Sequence, residues 1–303
     1  MKVFLDGKLV DSEQATVSVF DHGLLYGDGV FEGLRAYNGR IFRCQQHLDR
    51  LFDSAKHIQL KIPFSAEQLT GAMYETMLAN SIQDGYLRLV VTRGSGYLGL
   101  SPSKTSRPLV FVIADQVELY PRDLYEKGMA VITSSVMRMH PASLSPQIKS
   151  LNYLNNILAK IEANNAGVPE AVMLNHLGYV SEATGDNIFV VKAGRLLTPP
   201  IYAGVLPGIT RSTVMDLAKE CDIPTAELNM TRHDLYVAGE CFLTGTAAEV
   251  IAVTKIDNRT IGSGQPGPLT RRLHNEFHRL VRSPLPSRHP HPVGGAAGKS
   301  VEC

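Results

Sequence analysis

Gln147-Ile148-Lys149-Ser150-Leu151-Asn152-Tyr153-Leu154-Asn155-Asn156-Ile157-Leu158-Ala159-Lys160-Ile161-Glu162 is the stretch around which the chain is organised. From Leu151 onward, Leu154, Ile157, Leu158 and Ile161 recur at the spacing of one helix face, which predicts a helix with that face buried. Ser150 is placed as its N-cap, and Asn164 with Gly167 as its close. Pro146 disfavours helix just upstream. Lys149 is therefore expected on a short extended piece at a helix entrance, where a side chain can point into a cleft. Position alone favours an ordinary solvated lysine; the rest of the chain decides the matter.

Outward from this stretch, the 303 residues are 44% hydrophobic and 19% charged, an ordinary globular balance that implies two domains rather than one. The formal net charge of +1 gives no electrostatic case for nucleic acid or an anionic membrane. Residues 1–10 hold no apolar core of a secretory leader, and no apolar run approaches the roughly 20 residues of a membrane helix. Cys44, Cys221, Cys241 and Cys303 are scattered, without CxxC spacing or clustered histidines. That argues against structural zinc and disulfides and for a reducing compartment, so a cytoplasmic location is expected.

Upstream, Asp6-Gly7 predicts a hairpin within Val3 to Val10. The glycine-rich run Phe20 to Gly29 is expected to be irregular. Val30 to Tyr37 reads as a strand turned by Asn38-Gly39. A helix follows from about Gln45, with Leu48, Leu51, Phe52, Ala55 and Ile58 on one stripe and Arg50 off its centre. Ser65 with Gln68 signals a capped second helix, and strands are placed at Tyr86 to Thr92 and Leu109 to Ala114. Downstream, strands fall at Met129 to Ser134, Ala171 to Leu174, Asn187 to Val191, Arg195 to Thr198, Cys241 to Leu243 and Val250 to Val253. A last helix runs from about Leu269. The order predicts an α+β architecture: a small domain over 1–115, a linker over 116–125 and a larger domain over 126–282. The proline- and glycine-rich 283–303 is expected to be a disordered tail. Its His289 and His291 are more simply solvated than metal-bound.

Two places suit a phosphate. Gly208-Ile209-Thr210 opens a helix, whose amides and dipole favour an anion. Thr244-Gly245-Thr246-Ala247 is a tight turn of small residues after a strand. Each alone is equally an ordinary helix start or turn, and neither matches a nucleotide-binding fingerprint. Glu182, between two strands, is either a solvated loop carboxylate or one that faces a protonated heterocyclic nitrogen.

The combination is more specific. Ser181-Glu182-Ala183-Thr184-Gly185-Asp186-Asn187-Ile188-Phe189, then Leu196-Leu197-Thr198, then Leu206-Pro207-Gly208-Ile209-Thr210-Arg211, resembles the long signature of the class IV aminotransferases. These are the fold-type IV enzymes of pyridoxal 5'-phosphate. Phe20 to Tyr37, Tyr86-Leu87-Arg88, Lys149 to Tyr153 and Thr244 to Glu249 are also similar to that family, most of all to its branched-chain amino-acid aminotransferases. The resemblance spans about residues 1–282. It implies a two-domain fold like that of D-amino-acid aminotransferase, with a small α/β domain and a larger β-barrel-like domain with helices.

The resemblance also implies roles. Lys149 becomes the Schiff-base lysine, Glu182 the partner of the pyridine nitrogen, and Tyr153 that of the cofactor's phenolic oxygen. Arg50, Ile209, Thr210 and Thr246 hold the phosphate. The substrate carboxylate falls to Thr246, Ala247 and Tyr86, the side-chain pocket to Tyr26 and Phe31, and the distal carboxylate of glutamate to Arg88. Asp186 departs from the family, where glutamate is common, and its role is open. Chemistry agrees: a nucleophilic amine, a carboxylate for a cationic ring, and an arginine with backbone amides for a dianion are all present.

The implied reaction is transamination between leucine, isoleucine or valine and 2-oxoglutarate, in a homodimer or a larger assembly of dimers. The partners expected are small amino acids and 2-keto acids, with neither nucleic acid nor membrane. A D-amino-acid aminotransferase and a 4-amino-4-deoxychorismate lyase share the fold; Phe31 to Arg35 and Tyr86 to Arg88 favour the branched-chain enzyme. A cofactor-storage protein without turnover would lack Lys149 or Glu182, and both are present.

Overall fold

The computed structural model describes residues 1–116 and 119–283, which fall into two units. The first takes the chain up to 117, then Lys149–Asn152 and the residues from Val281. It opens with the hairpin of β1 (Lys2–Leu5) and β2 (Lys8–Asp11). Asp6 and Gly7 both take positive φ there, as a two-residue hairpin turn demands. After α1 (His22–Tyr26) come β3 (Gly29–Tyr37), β4 (Arg40–Ile41), α2 (Cys44–His57), α3 (Ala66–Ala79), β5 (Gly85–Thr92) and β6 (Leu109–Asp115). The capping box of Ser65 and Gln68 is present at α3. α1 departs from the irregular expectation: the Asp21 carboxylate accepts from the Gly23 amide and Gly27 closes the turn at φ 70°. A capped start and a left-handed stop suffice for a five-residue helix.

The strands form one antiparallel sheet in the order β2-β1-β6-β5-β3-β4. α2 packs on β3, and α3 on β1 and β6. Leu48, Leu51, Leu69 and Met73 of these helices are fully buried, as are Val30 and Leu34 of β3. Each such side chain contributes about 1.5–3 kcal/mol on leaving water. β4 pairs only with the far end of β3, at Ala36 and Tyr37. Beside the near end lie Lys149–Leu151: Phe31 N donates to Lys149 O, Leu151 N donates to Gly29 O, and Val30 bridges Ser150.

The second unit begins with α4 (Arg122–Lys127), within the stretch expected to be linker, and Tyr120 just before it is buried. β7 (Met129–Thr133), α5 (Leu154–Asn165), β8 (Glu170–Leu174), β9 (Val180–Ala183), β10 (Asn187–Lys192), β11 (Arg195–Thr198) and α6 (Ile209–Glu220) follow. β12 (Thr225–Glu227), α7 (Arg232–Tyr236), β13 (Glu240–Gly245), β14 (Glu249–Ile256), β15 (Arg259–Thr260) and α8 (Pro268–Arg282) complete it. The mixed sheet runs β12-β11-β10-β13-β14-β7-β8-β9, with β15 beside β14. It curls until β9 meets β10, giving the barrel-like form expected of the larger domain. Its core holds Met129, Val131, Val172, Ile188, Val190, Leu243, Ile251 and Val253.

α5 differs from expectation twice. It starts at Leu154, with Tyr153 as N-cap, because Ser150 is already paired with β3. Its buried residues are Asn156, Ala159 and Ala163, small enough to lie close on β8. The apolar stripe points the other way: Leu154 is 67% exposed, Ile157 51%, Leu158 46% and Ile161 47%.

Among the described residues, no helix is long and apolar enough to cross a membrane, and no cluster of His, Cys, Asp or Glu suits a metal. Cys44, Cys221 and Cys241 form no disulfide. The tail expected over 283–303 lies, beyond Ser283, outside the described residues.

Candidate active site

Each unit carries its own share of the residues singled out by sequence. In the first, the alternation of β3 sorts them. Phe31 and Gly33 share one face of the strand, and Glu32 lies on the other, toward α2. Lys149 is half-buried; its amide donates to Ser54 Oγ at 3.2 Å, and its Nζ lies 4.8 Å from the centre of the Phe31 ring. Arg88 lies over the same ring, with Cζ 4.5 Å from its centre and 5.5 Å from that of Tyr86. The pairing of Gly33 with Arg88 and of Arg35 with Tyr86 puts these groups side by side. One sheet face thus presents an apolar ring, a phenol, a guanidinium and a primary amine.

Gly33 makes room for this arrangement. A Cβ built there would collide with the Tyr86 hydroxyl, closer than atoms can approach. Tyr26 is not part of the group: it sits on α1, with its hydroxyl accepting from Gly99 N and its ring edge-on to His22.

Arg50 lies on the α2 side of β3. Its Nε and Nη2 donate to the two oxygens of Glu32 at 2.7 and 2.8 Å, and His47 Nδ1 meets the same carboxylate at 2.7 Å. Glu32 is fully buried; although burial alone would raise its pKa, Arg50 and His47 hold the carboxyl down at about 2. His47 has a lowered pKa, chiefly through burial, with Glu32 opposing and the charges of Arg50 and Lys149 adding to the effect.

In the second unit Glu182, at the end of β9, is buried and surrounded by donors. Arg138 gives Nε at 2.9 Å and Nη2 at 2.8 Å to Oε1, while Asn187 Nδ2 and the Leu206 amide each reach Oε2 at 3.0 Å. Arg138 is fixed in turn by Asn156 Oδ1 at 3.0 Å. Such an arrangement suits a charged carboxylate.

Asn187 joins this carboxylate to both predicted phosphate places. Its Nδ2 also donates to Leu206 O, and its Oδ1 fills the space beside Gly208 where a Cβ would stand. Gly208 is the N-cap of α6 and offers no side-chain oxygen to the first-turn amides of Ile209 and Thr210. In the sheet, Asn187 pairs with Thr244, one residue before Gly245 ends β13 and the turn with half-buried Thr246 and Ala247 begins. Thr244 Oγ1 is buried and has no hydrogen-bond partner among the described residues. An uncapped helix start, an orphaned hydroxyl and a short turn converge here, and they fit a phosphate. Tyr153 is half-buried at the α5 N-cap.

Asp186, left open by sequence, is buried behind the turn, and Gly245 leaves space for its Oδ1. The Tyr120 hydroxyl lies 3.3 Å from its Oδ2 and 3.4 Å from Glu170 Oε2. Burial, then the charge of Glu170, pushes the Asp186 carboxyl up to about 7. Glu32, Arg138 and Asn156 escaped the sequence reading, since nothing local shows that residues 18 or 44 positions apart are partners.

Residues 29–256 match the family model of the class IV aminotransferases. A Methanocaldococcus jannaschii protein is 53% identical over 277 residues, which are 91% of this chain and 95% of that one. The Pseudomonas aeruginosa branched-chain-amino-acid aminotransferase is 39% identical over 284 residues, 92% of each chain. Among solved structures, the branched-chain amino acid aminotransferase of Thermobaculum terrenum in its PLP form superposes with a TM-score of 0.85 at 31% identity. That match covers 92% of this chain and 93% of the other.

Proposed function

The chain belongs to the class IV aminotransferases, and we propose that it moves the amino group of leucine, isoleucine or valine to 2-oxoglutarate, with pyridoxal 5'-phosphate as cofactor. The observation that carries this reading is the shared face of Phe31, Tyr86 and Arg88, with Lys149 Nζ against the same ring. Such a surface accepts an apolar side chain on a ring and a second carboxylate on a guanidinium.

When bound, the cofactor supplies an aldehyde for the amine and a cationic ring that takes up the electrons of a carbanion. Lys149 Nζ would anchor that aldehyde and carry the proton removed from the substrate α-carbon. Glu182 would hold the proton on the ring nitrogen, with Arg138 and Asn187 keeping its carboxylate in place, and Tyr153 would meet the phenolic oxygen. Arg50, Thr246 and the amides of Ile209 and Thr210 would hold the phosphate. The Tyr86 hydroxyl and the Thr246–Ala247 turn would take the α-carboxylate. Phe31 would shape the side-chain pocket, and Arg88 would pair with the distal carboxylate.

The exposed stripe Leu154, Ile157, Leu158 and Ile161 supports a homodimer or a larger assembly of dimers, because four large apolar side chains on one helix face favour a covering partner. The unbridged cysteines support a cytoplasmic location.

The purified protein, given L-leucine and 2-oxoglutarate, is expected to release the keto acid of leucine and to show the visible band of a covalently held cofactor. Lys149→Ala should abolish both. Turnover of D-alanine or aminodeoxychorismate with none of L-leucine would overturn the reading, and so would wild-type transamination by Lys149→Ala.

A further inference from the structure

We propose that Glu32 is a positioning residue whose buried carboxylate fixes the orientation of Arg50 and the tautomer of His47, and thereby sets how tightly a phosphate is held at Arg50. The proposal rests on the reading above that Arg50 holds the cofactor's phosphate.

The geometry is specific. Glu32 has no exposed surface, and both its oxygens are engaged, Oε1 by Arg50 Nε and Oε2 by Arg50 Nη2 and His47 Nδ1. A guanidinium gripped along its Nε–Nη2 edge can no longer rotate, so the edge carrying Nη1 has one direction. A carboxylate only accepts hydrogen bonds, so His47 Nδ1 must carry the hydrogen, and in the neutral ring Nε2 is then an acceptor. Burial keeps that ring neutral, so the α2 side of β3 carries the cation of Arg50 without a second one beside it.

Sequence position supports the assignment. Glu32 comes from the middle of β3, between Phe31 and Gly33, while Arg50 and His47 come from successive turns of α2. One carboxylate therefore ties the strand beneath the substrate-facing side chains to the helix that bears the phosphate ligand. A surface ion pair would not do this, because solvent would let the arginine swing.

The test follows cofactor loss from the holoenzyme by its visible band during dialysis, for wild type, Glu32→Gln, Arg50→Met and the double variant. Glu32→Gln is expected to speed the loss about tenfold or more, the scale of one charge-assisted hydrogen bond. The double variant should lose cofactor no faster than Arg50→Met alone, because Glu32 acts through Arg50. Wild-type retention in Glu32→Gln, alongside rapid loss in Arg50→Met, would overturn the proposal and leave the Arg50 reading standing. Wild-type retention in Arg50→Met would overturn that reading and the proposal with it. Additive losses in the double variant would also overturn the proposal, as would a lowered Tm in Glu32→Gln with unchanged retention. If Glu32→Gln fails to fold, Glu32→Asp replaces it: it keeps the charge but is one methylene short of gripping both partners. Unchanged retention in Glu32→Asp would count against the proposal in the same way.

Discussion

The Tyr86 hydroxyl occupies the space that a side chain at Gly33 would need, so a Cβ built there runs into the phenol oxygen. Gly33 has ordinary strand backbone and is absent from the positive-φ glycines, so alanine is excluded by the phenol and not by conformation. Gly33→Ala should therefore push Tyr86 aside, raising KM for leucine and for glutamate while the cofactor's visible band stays. Removing the hydroxyl removes the collision. The double variant Gly33→Ala/Tyr86→Phe is thus expected to match Tyr86→Phe alone. A double variant much worse than Tyr86→Phe would show that Gly33 serves something other than this hydroxyl.

Arg88 must let one pocket accept two unlike side chains. Glutamate brings a second carboxylate, which is costly to bury unless paired, whereas leucine brings only carbon. Stacked on Phe31 and beside Tyr86, Arg88 offers its charge at the rim of an apolar ring. Arg88→Ala should weaken 2-oxoglutarate and glutamate by about 1.5–3 kcal/mol in kcat/KM, and leucine far less. Equal losses on both substrates would remove Arg88 from this role.

These placements show what was legible in the chain. The period-2 strands and the capped helices were, because both signals are local: the Asp6-Gly7 hairpin and the Ser65–Gln68 box lie where the sequence puts them. α5 shows the limit. Its apolar spacing identified a helix correctly, yet spacing reveals an apolar face and not what covers it. Ala159 and Ala163 face β8, while Leu154, Ile157, Leu158 and Ile161 face outward. Ser150, a plausible cap by type, was claimed instead by β3. The family signature marked Glu182 but not Arg138, since its partner lies 44 residues away. Grips of this kind are decided by the fold, and they are where the site acquires its rigidity.

Glu182 and Arg138 make the next case. Glu182→Gln keeps the shape and two of the donors but gives up the charge that a protonated ring nitrogen needs. Its loss should appear mainly in kcat, with substrate affinity little changed. Arg138→Met leaves Glu182 buried without its strongest partner, and breaking a buried pair in this way costs about 3–5 kcal/mol. Thermal unfolding should therefore fall more steeply for Arg138→Met than for Glu182→Gln, while both lose turnover. A fully active Arg138→Met enzyme would mean that Asn187 and the Leu206 amide hold Glu182 on their own.

Asp186 carries the pH dependence. Burial and the nearby charge of Glu170 raise its carboxyl from the ordinary 3.8 to about 7. The folded chain therefore keeps a proton that the unfolded chain releases near pH 4. The stabilising contribution of that proton is full below the unfolded value and is lost as pH rises through the folded one. Between about pH 4 and 7 this single group should make the protein less stable as the medium becomes more alkaline. Asparagine imitates the protonated acid in size and in its ability to donate, and it cannot ionise. Asp186→Asn should thus gain Tm relative to wild type at pH 8 and lose most of that advantage at pH 5. Taking the difference between the two proteins at each pH cancels the titrating groups distant from Asp186 and leaves Asp186 with its neighbour Glu170. A difference that is the same at both values would mean that Asp186 is already ionised in the fold at pH 5, with the Tyr120 hydroxyl bound to its charge.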